Sequence, residues 1–127
     1  YYQLGVYYQK HEKYDEALTY LRKAANMATS TDEQRKAKYS AMYQVGRTSI
    51  LSESHFNEGE KALTQYLNEA VVSASMATKD WAKFRLANIA EAKGEKSKAK
   101  QAYQDLARQT TDKELLKKVK KRAKKLS

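Results

Sequence analysis

The chain has 127 residues, with no cysteine, no proline and only four glycines. The length is that of one domain, the missing cysteines exclude disulfides and cysteine-ligated metals, and the scarcity of proline and glycine argues against a turn-rich β-fold. There are 25 Lys and Arg against 15 Asp and Glu, so the net charge is +10. The abundance of Ala, Lys, Leu, Glu and Gln favours helix, and we expect an all-α protein.

The first 28 residues contain two sets of residues at helical spacing, separated by a break near residues 11–14. The first set is Tyr1, Leu4, Gly5 and Tyr8, and the second is Ala17, Leu21 and Ala24. Small residues on both contact faces let two helices approach closely, and larger side chains fill the space that they leave. The stretch therefore predicts a tightly packed helical hairpin.

The pattern recurs along the chain. Equivalent pairs lie 41 residues apart, at Leu4-Gly5, Val45-Gly46 and Leu86-Ala87. A period of this length indicates stacked helical units. The small residues of the second helices are assigned to Ala17, Ala62 and Ala99. The interval from the first small residue to the second is then 12, 16 and 12 residues, and the extra four correspond to about one helical turn.

Two capping boxes mark helix starts, at Ser30–Glu33 and Thr111–Glu114. The first predicts a long third helix from Thr31 or Asp32 to about Ser52, and the second predicts a final helix to about Leu126. Residues 54–59 are assigned to a connection and Gly94 to a turn. The remaining predicted helices cover residues 60–73, 79–93 and 97–109.

The first hairpin resembles the tetratricopeptide repeat, whose pattern is W-x2-L-G-x2-Y followed by A-x3-F and a closing proline. Tyr1 replaces the tryptophan, Leu21 replaces the phenylalanine, and no unit has the proline. The resemblance implies antiparallel helical hairpins stacked as a right-handed solenoid. Because the chain begins inside a repeat, we expect it to be a fragment of a longer protein. We assign a single domain over 1–127, with units at about 1–29, 31–74 and 78–110 and a capping helix at about 112–126.

The resemblance also implies a function. First helices of such units line a concave groove that binds a peptide, so we expect a non-catalytic scaffold with a protein or peptide partner. Aromatic, arginine and amide side chains are enriched at interfaces. The predicted groove residues are Tyr2, Tyr43, Gln44, Arg47, Trp81, Phe84, Arg85 and Asn88. An alternative is that the aromatics only pack between units. The family's clamp for acidic chaperone tails is not expected, because only Arg85 matches its residues.

The final helix is strongly basic. Its apolar residues form one stripe, as expected of a helix that closes a stack. The charged remainder supports an alternative function, which is binding of nucleic acid or an anionic membrane by phosphate contacts. The residues for that function are Lys117, Lys118, Lys121, Arg122 and Lys125.

No catalytic or metal-binding pattern is present. His11 and His55 have no second ligand at helical spacing, and no phosphate-binding loop or nucleophile motif occurs, so we expect no enzyme activity, metal or cofactor. The longest uncharged run, Ala70–Thr78, is shorter than the roughly 20 residues of a membrane helix. The sequence does not distinguish a cytoplasmic from a periplasmic location. A third hypothesis is self-association through Tyr1, Leu4 and Tyr8 on the amino-terminal face.

Overall fold

The computed structural model describes all residues 1–127 and contains seven α-helices and no strands. The all-α prediction is confirmed. None of the helices combines the length and apolar character needed to cross a bilayer. The helices are α1 (Tyr2–Lys10), α2 (Tyr14–Ala25), α3 (Asp32–Ser52), α4 (Phe56–Glu69), α5 (Lys79–Ala92), α6 (Lys96–Gln109) and α7 (Lys113–Lys125).

The helices pack as consecutive hairpins, α1–α2, α3–α4 and α5–α6. Each second helix also packs against the first helix of the next hairpin. In addition, α3 contacts both α1 and α5, so the first helices form one continuous layer. Three apolar cores fill the interfaces, and the last of them is closed by Leu115 and Val119 of α7. The predicted capping role of the final helix agrees with this packing.

Close helix contact depends on the small residues of the first helices, as predicted. Gly5, Gly46 and Ala87 are all buried. A Cβ atom added to Gly5 would lie 2.5 Å from Cγ of Leu21, and one added to Gly46 would lie 2.5 Å from Cδ1 of Leu63. A larger residue at either glycine would therefore push the paired helices apart.

The turns inside the hairpins follow the same 41-residue period. Glu12, Glu53 and Gly94 occupy equivalent places, and each has a positive φ, of 58°, 52° and 86° respectively. Such a left-handed residue ends a helix and reverses the chain, and only the third turn uses glycine for it. The middle turn also contains His55 at φ 56°, so two residues separate Glu53 from the next helix, whereas one residue follows Glu12 and Gly94.

The middle unit corrects one prediction. Leu63 packs on Gly46 as Leu21 packs on Gly5, so the small residue four positions earlier is Gly59 rather than Ala62. Gly59 is buried against Ser49, whereas Ala62 is half-buried. The interval is thus 13 residues instead of 16, because only one residue is inserted, in the turn. For the same reason α4 begins at Phe56, and the predicted start at residue 60 was wrong.

Both predicted N-caps were wrong by one residue. The N-cap of α3 is Thr31, which accepts a 3.1 Å hydrogen bond from the Gln34 backbone N–H, while the Gln34 side chain accepts one from Thr31 N. The N-cap of α7 is Asp112, which accepts from the backbone N–H of Leu115 at 3.0 Å. The cap is the residue with extended backbone immediately before the helix, and residue type does not identify it here because Ser, Thr and Asp are all favourable N-caps.

Candidate binding groove

The predicted groove residues lie on the layer formed by α1, α3 and α5. Tyr2, Gln44, Arg47, Trp81, Arg85 and Asn88 are half-buried, so each retains some surface. Tyr43 and Phe84 are only 8% and 5% exposed. The outer surface of the groove is therefore mainly polar and cationic, with Trp81 and Tyr2 as its larger apolar parts.

Phe84 belongs to the core between α5, α6 and α7. Its ring lies 5.9 Å from that of Tyr103 and meets Trp81 edge-on at 5.7 Å. For Phe84, the structure agrees with the alternative interpretation that the aromatic packs between helices. Its 5% exposure leaves almost no surface for a partner.

Arg85 is held between α3 and α5. Its Nε donates to the Tyr43 hydroxyl at 3.1 Å, across the two helices. Its guanidinium carbon lies 5.3 Å from the centre of the Trp81 ring, which is a cation–π distance. The Trp81 indole is itself fixed, because its Nε1 donates to Asp112 at 2.9 Å. These contacts orient Arg85 before any partner arrives.

A chain of hydrogen bonds continues from Arg85 to the last helix. Arg85 donates to Asn88, and the Asn88 amide donates to the Tyr103 hydroxyl at 2.8 Å. That hydroxyl donates to Glu91 at 2.9 Å, and Glu91 also forms an ion pair with Arg122. Glu91, Tyr103 and Arg122 therefore connect α7 to the groove through α5 and α6.

Arg47 lies beside Arg85 in the groove. Burial, and secondarily the positive charge of Arg85, lower the pKa of Arg47 below its ordinary value. Neither arginine forms an ion pair, whereas Arg22, Arg35, Arg108 and Arg122 all do. The centre of the layer thus carries two neighbouring cations that the protein itself does not neutralise.

The amino-terminal part of the groove is joined by amides. Gln9 of α1 donates to the Gln44 side chain at 3.0 Å and to the Thr48 hydroxyl at 2.9 Å. Gln9 is buried, and the sequence analysis did not identify it because nothing in its spacing separates it from a solvated glutamine. Gln44 therefore serves first to connect α1 with α3.

A cavity of about 570 Å³ opens where α3, α5 and α7 meet, and we call it the α7 basin. It contains residues from both predicted sets, since Arg85 and Asn88 line it together with four cationic residues of α7. Those four are Lys118, Lys121, Arg122 and Lys125. Lys117, the fifth predicted anion-binding residue, does not line it. Two surfaces that the sequence treated as separate are thus one continuous surface.

The predicted residues of the amino-terminal face differ in their exposure. Tyr1 and Leu4 are 60% and 45% exposed, while Tyr8 is half-buried and stacks on Tyr20 at 5.5 Å. No group of three or more His, Cys, Asp and Glu side chains could hold a metal ion. His11 instead lies against the Tyr7 ring, with 4.4 Å between ring centres.

Residues 1–31 match the model of the tetratricopeptide repeat family. The match covers the hairpin in which Leu21 packs on Gly5, which is the contact repeated by Leu63 and Gly46. No curated protein matches the chain. Repeats of this family generally mediate protein–protein interactions and are typically non-catalytic scaffolds. The first hairpin is thus similar to a tetratricopeptide repeat, and the chain as a whole is an all-helical stack of hairpins.

Proposed function

We propose that this chain is a non-catalytic scaffold that binds a segment of a partner protein along the layer of α1, α3 and α5. The observation that carries the proposal is the adjacent pair Arg47 and Arg85, half-buried and without an ion pair. Two like charges that are partly removed from water are unfavourable on their own. Carboxylates or backbone carbonyls of a bound segment would relieve this, and a guanidinium can hold such groups with two parallel hydrogen bonds.

The groove is also organised in advance. Arg85 is oriented by Tyr43 and Trp81, and Gln44 by Gln9. Ordering side chains on binding costs roughly 0.5–1.5 kcal/mol for each long residue, and contacts already made in the free protein reduce that cost. The free edges of Trp81 and Tyr2 supply apolar area on either side of the arginine pair.

The test selects ligands from a phage-displayed library of random short peptides and measures the affinity of the selected peptides by fluorescence anisotropy. The variant combines Tyr43→Phe with Arg47→Ala. Tyr43→Phe removes only the hydroxyl and keeps the ring that packs 5.9 Å from Tyr66. Arg108→Ala is the matched control, since Arg108 is exposed on α6, outside the groove layer.

We expect the double variant to lose about 10- to 100-fold in affinity, as for an interfacial arginine of high energy, while the control stays within about twofold. Both variants should keep the melting temperature of the original protein within a few degrees. A library that yields no enriched peptide, or equal affinity of the double variant and the control, would refute the proposal.

A second candidate is binding of an anionic surface through α7. Lys117, Lys120 and Lys124 favour it, because they are exposed, lie outside the α7 basin and form no ion pair. A salt titration with a single-stranded oligonucleotide and with phosphatidylserine vesicles separates the candidates. Phosphate binding loses affinity steeply as ionic strength rises, whereas peptide binding in the groove has a shallow dependence.

A further inference from the structure

The cationic residues of α7 divide into two faces. Lys118, Lys121, Arg122 and Lys125 follow one another at three, one and three residues, which places them on a single helical face, and all four line the α7 basin. Lys117, Lys120 and Lys124 lie on a different face and line no part of it. Of the six lysines, all are exposed, so burial does not distinguish the two faces.

The charge in the α7 basin is largely unneutralised. Arg122 is paired with Glu91, which leaves Glu53 as the only other carboxylate in the lining. Arg85, Lys118, Lys121 and Lys125 form no ion pair. A concave surface lined by one sign of charge concentrates its potential, and this one attracts anions.

The lysines of the basin form no hydrogen bonds with the helix ends beside them. The α7 basin includes the last turns of α3 and α5, where a cation interacts favourably with the helix dipole. However, Lys118, Lys121 and Lys125 donate no hydrogen bond to the carbonyl groups there, although Asn26 does so to the carbonyl of Arg22 in α2. Their ammonium groups remain available to another molecule.

We infer that the α7 basin binds an acidic segment of a partner protein, with several Asp or Glu side chains, as a continuation of the groove. This inference rests on the function proposed above and adds the chemistry of the ligand. A peptide with spaced carboxylates can reach four cations while leaving room beside Glu53, the one carboxylate of the lining without an ion pair, which would repel a continuous phosphate backbone. The half-buried Ile50 and the exposed Ala92 give the basin an apolar wall for the intervening residues.

Nucleic acid fits the α7 basin less well. Single strands are bound by stacking bases on exposed aromatic rings, and the only aromatic residue in the lining is Phe84, which is 5% exposed. A cavity of about 570 Å³ accommodates a few side chains rather than a duplex. The oligonucleotide is therefore the competing probe in the test.

The experiment compares two triple variants of the complete chain. Lys118→Gln, Lys121→Gln and Lys125→Gln alter the α7 basin, whereas Lys117→Gln, Lys120→Gln and Lys124→Gln alter the other face of the same helix. Both remove the same charge from exposed positions, so both should melt alike. The probes are a fluorescein-labelled peptide of alternating glutamate and alanine, its counterpart with glutamine, and a single-stranded oligonucleotide of similar length.

We expect the glutamate peptide to bind more tightly than the glutamine peptide. The basin variant should lose about tenfold in affinity for the glutamate peptide, because three partly exposed charge pairs are removed. The control variant should lose less than about threefold, because it changes only the long-range field. Equal losses in the two variants, no preference for glutamate, or tighter binding of the oligonucleotide would each overturn the inference.

The outcome also separates this inference from the proposed function. If peptides selected from the library lose affinity in the Tyr43→Phe and Arg47→Ala variant but not in the basin variant, the groove proposal stands and the acidic-segment inference fails. If the glutamate peptide depends on the basin lysines while the library yields no ligand, the acidic ligand is supported and the wider groove is not.

Discussion

The contact between Gly46 and Leu63 provides the sharpest test of the packing. In Gly46→Ala, the new Cβ would lie 2.5 Å from Cδ1 and 2.8 Å from Cδ2 of Leu63. Leu63 is completely buried, so its branch point cannot move aside. Overpacking of this kind costs about 1–3 kcal/mol, and we take the upper end because no free space adjoins the site. Alanine regains about 1 kcal/mol of helix preference over glycine.

The net expected loss is therefore about 2 kcal/mol, or roughly 6–10 °C in melting temperature for a chain of this size. Urea unfolding followed by circular dichroism measures it. The matched control repeats the substitution in a Leu63→Ala background, which alone should cost about 2–5 kcal/mol. There Gly46→Ala should be neutral or stabilising, because the obstructing side chain is gone. Equal destabilisation in both backgrounds would refute the close-contact explanation.

Two further predictions concern a helix cap and an ion pair. Thr31→Ala should lower the free energy of unfolding in urea by about 1 kcal/mol, because it removes the acceptor for the Gln34 backbone N–H. Ser30→Ala should cost less. The reverse order would show that Ser30 is the cap. The hydrogen bond from Arg22 lowers the pKa of Glu58 below its ordinary value of 4.5. The pair therefore stabilises the fold above pH 4.5, and this stabilisation is lost as the pH falls through the lowered pKa. Both side chains are more than a third exposed, so Glu58→Gln should reduce the stability of the fold by under about 1 kcal/mol at neutral pH and not at all in strong acid. The melting temperature of the variant and the original protein measures this. A difference that persists in acid would show that the ion pair is not its cause.

The repeat was predictable because close packing restricts residue size at fixed places. Gly5, Gly46 and Ala87 are buried where the 41-residue period puts them. The same period governs the backbone, since the hydrogen bonds that close the three turns have their acceptors at Tyr8, Ser49 and Ala90. The spacing of the small residues therefore also gives the spacing of these main-chain turns.

The second helix of the middle unit was not predictable from the same pattern. Gly59 and Ala62 are both small, and periodicity accepts either at the contact face. The choice depends on His55, an inserted residue with φ 56°. Histidine is enriched in this conformation among non-glycine residues, but so few non-glycine residues adopt it that the residue type alone is a weak signal. The sequence therefore predicted an insertion of one helical turn, whereas the structure has one extra residue in the loop between α3 and α4.

The candidate groove was predicted in its residue types but not in its connections. The sequence assigned Arg47 and Arg85 to the same predicted groove but gave no reason to pair them. It could not indicate that Glu91 joins Arg122 or that Tyr103 joins Asn88, because those partners lie 31 and 15 residues apart and on helices whose relative rotation the sequence leaves open. For the same reason, the sequence alone does not show which lysines of α7 face the basin, because that depends on how α7 packs.

The link from Arg122 through Glu91, Tyr103 and Asn88 to Arg85 has a consequence for biosynthesis. During translation, Arg122 leaves the ribosome after all the other residues of this link. Until Arg122 has emerged and docked, Glu91 lacks its counter-charge, and Arg85 is steadied from one side only. The candidate groove therefore acquires its last fixed contacts only after α7 has emerged from the ribosome, when the earlier hairpins can already be folded.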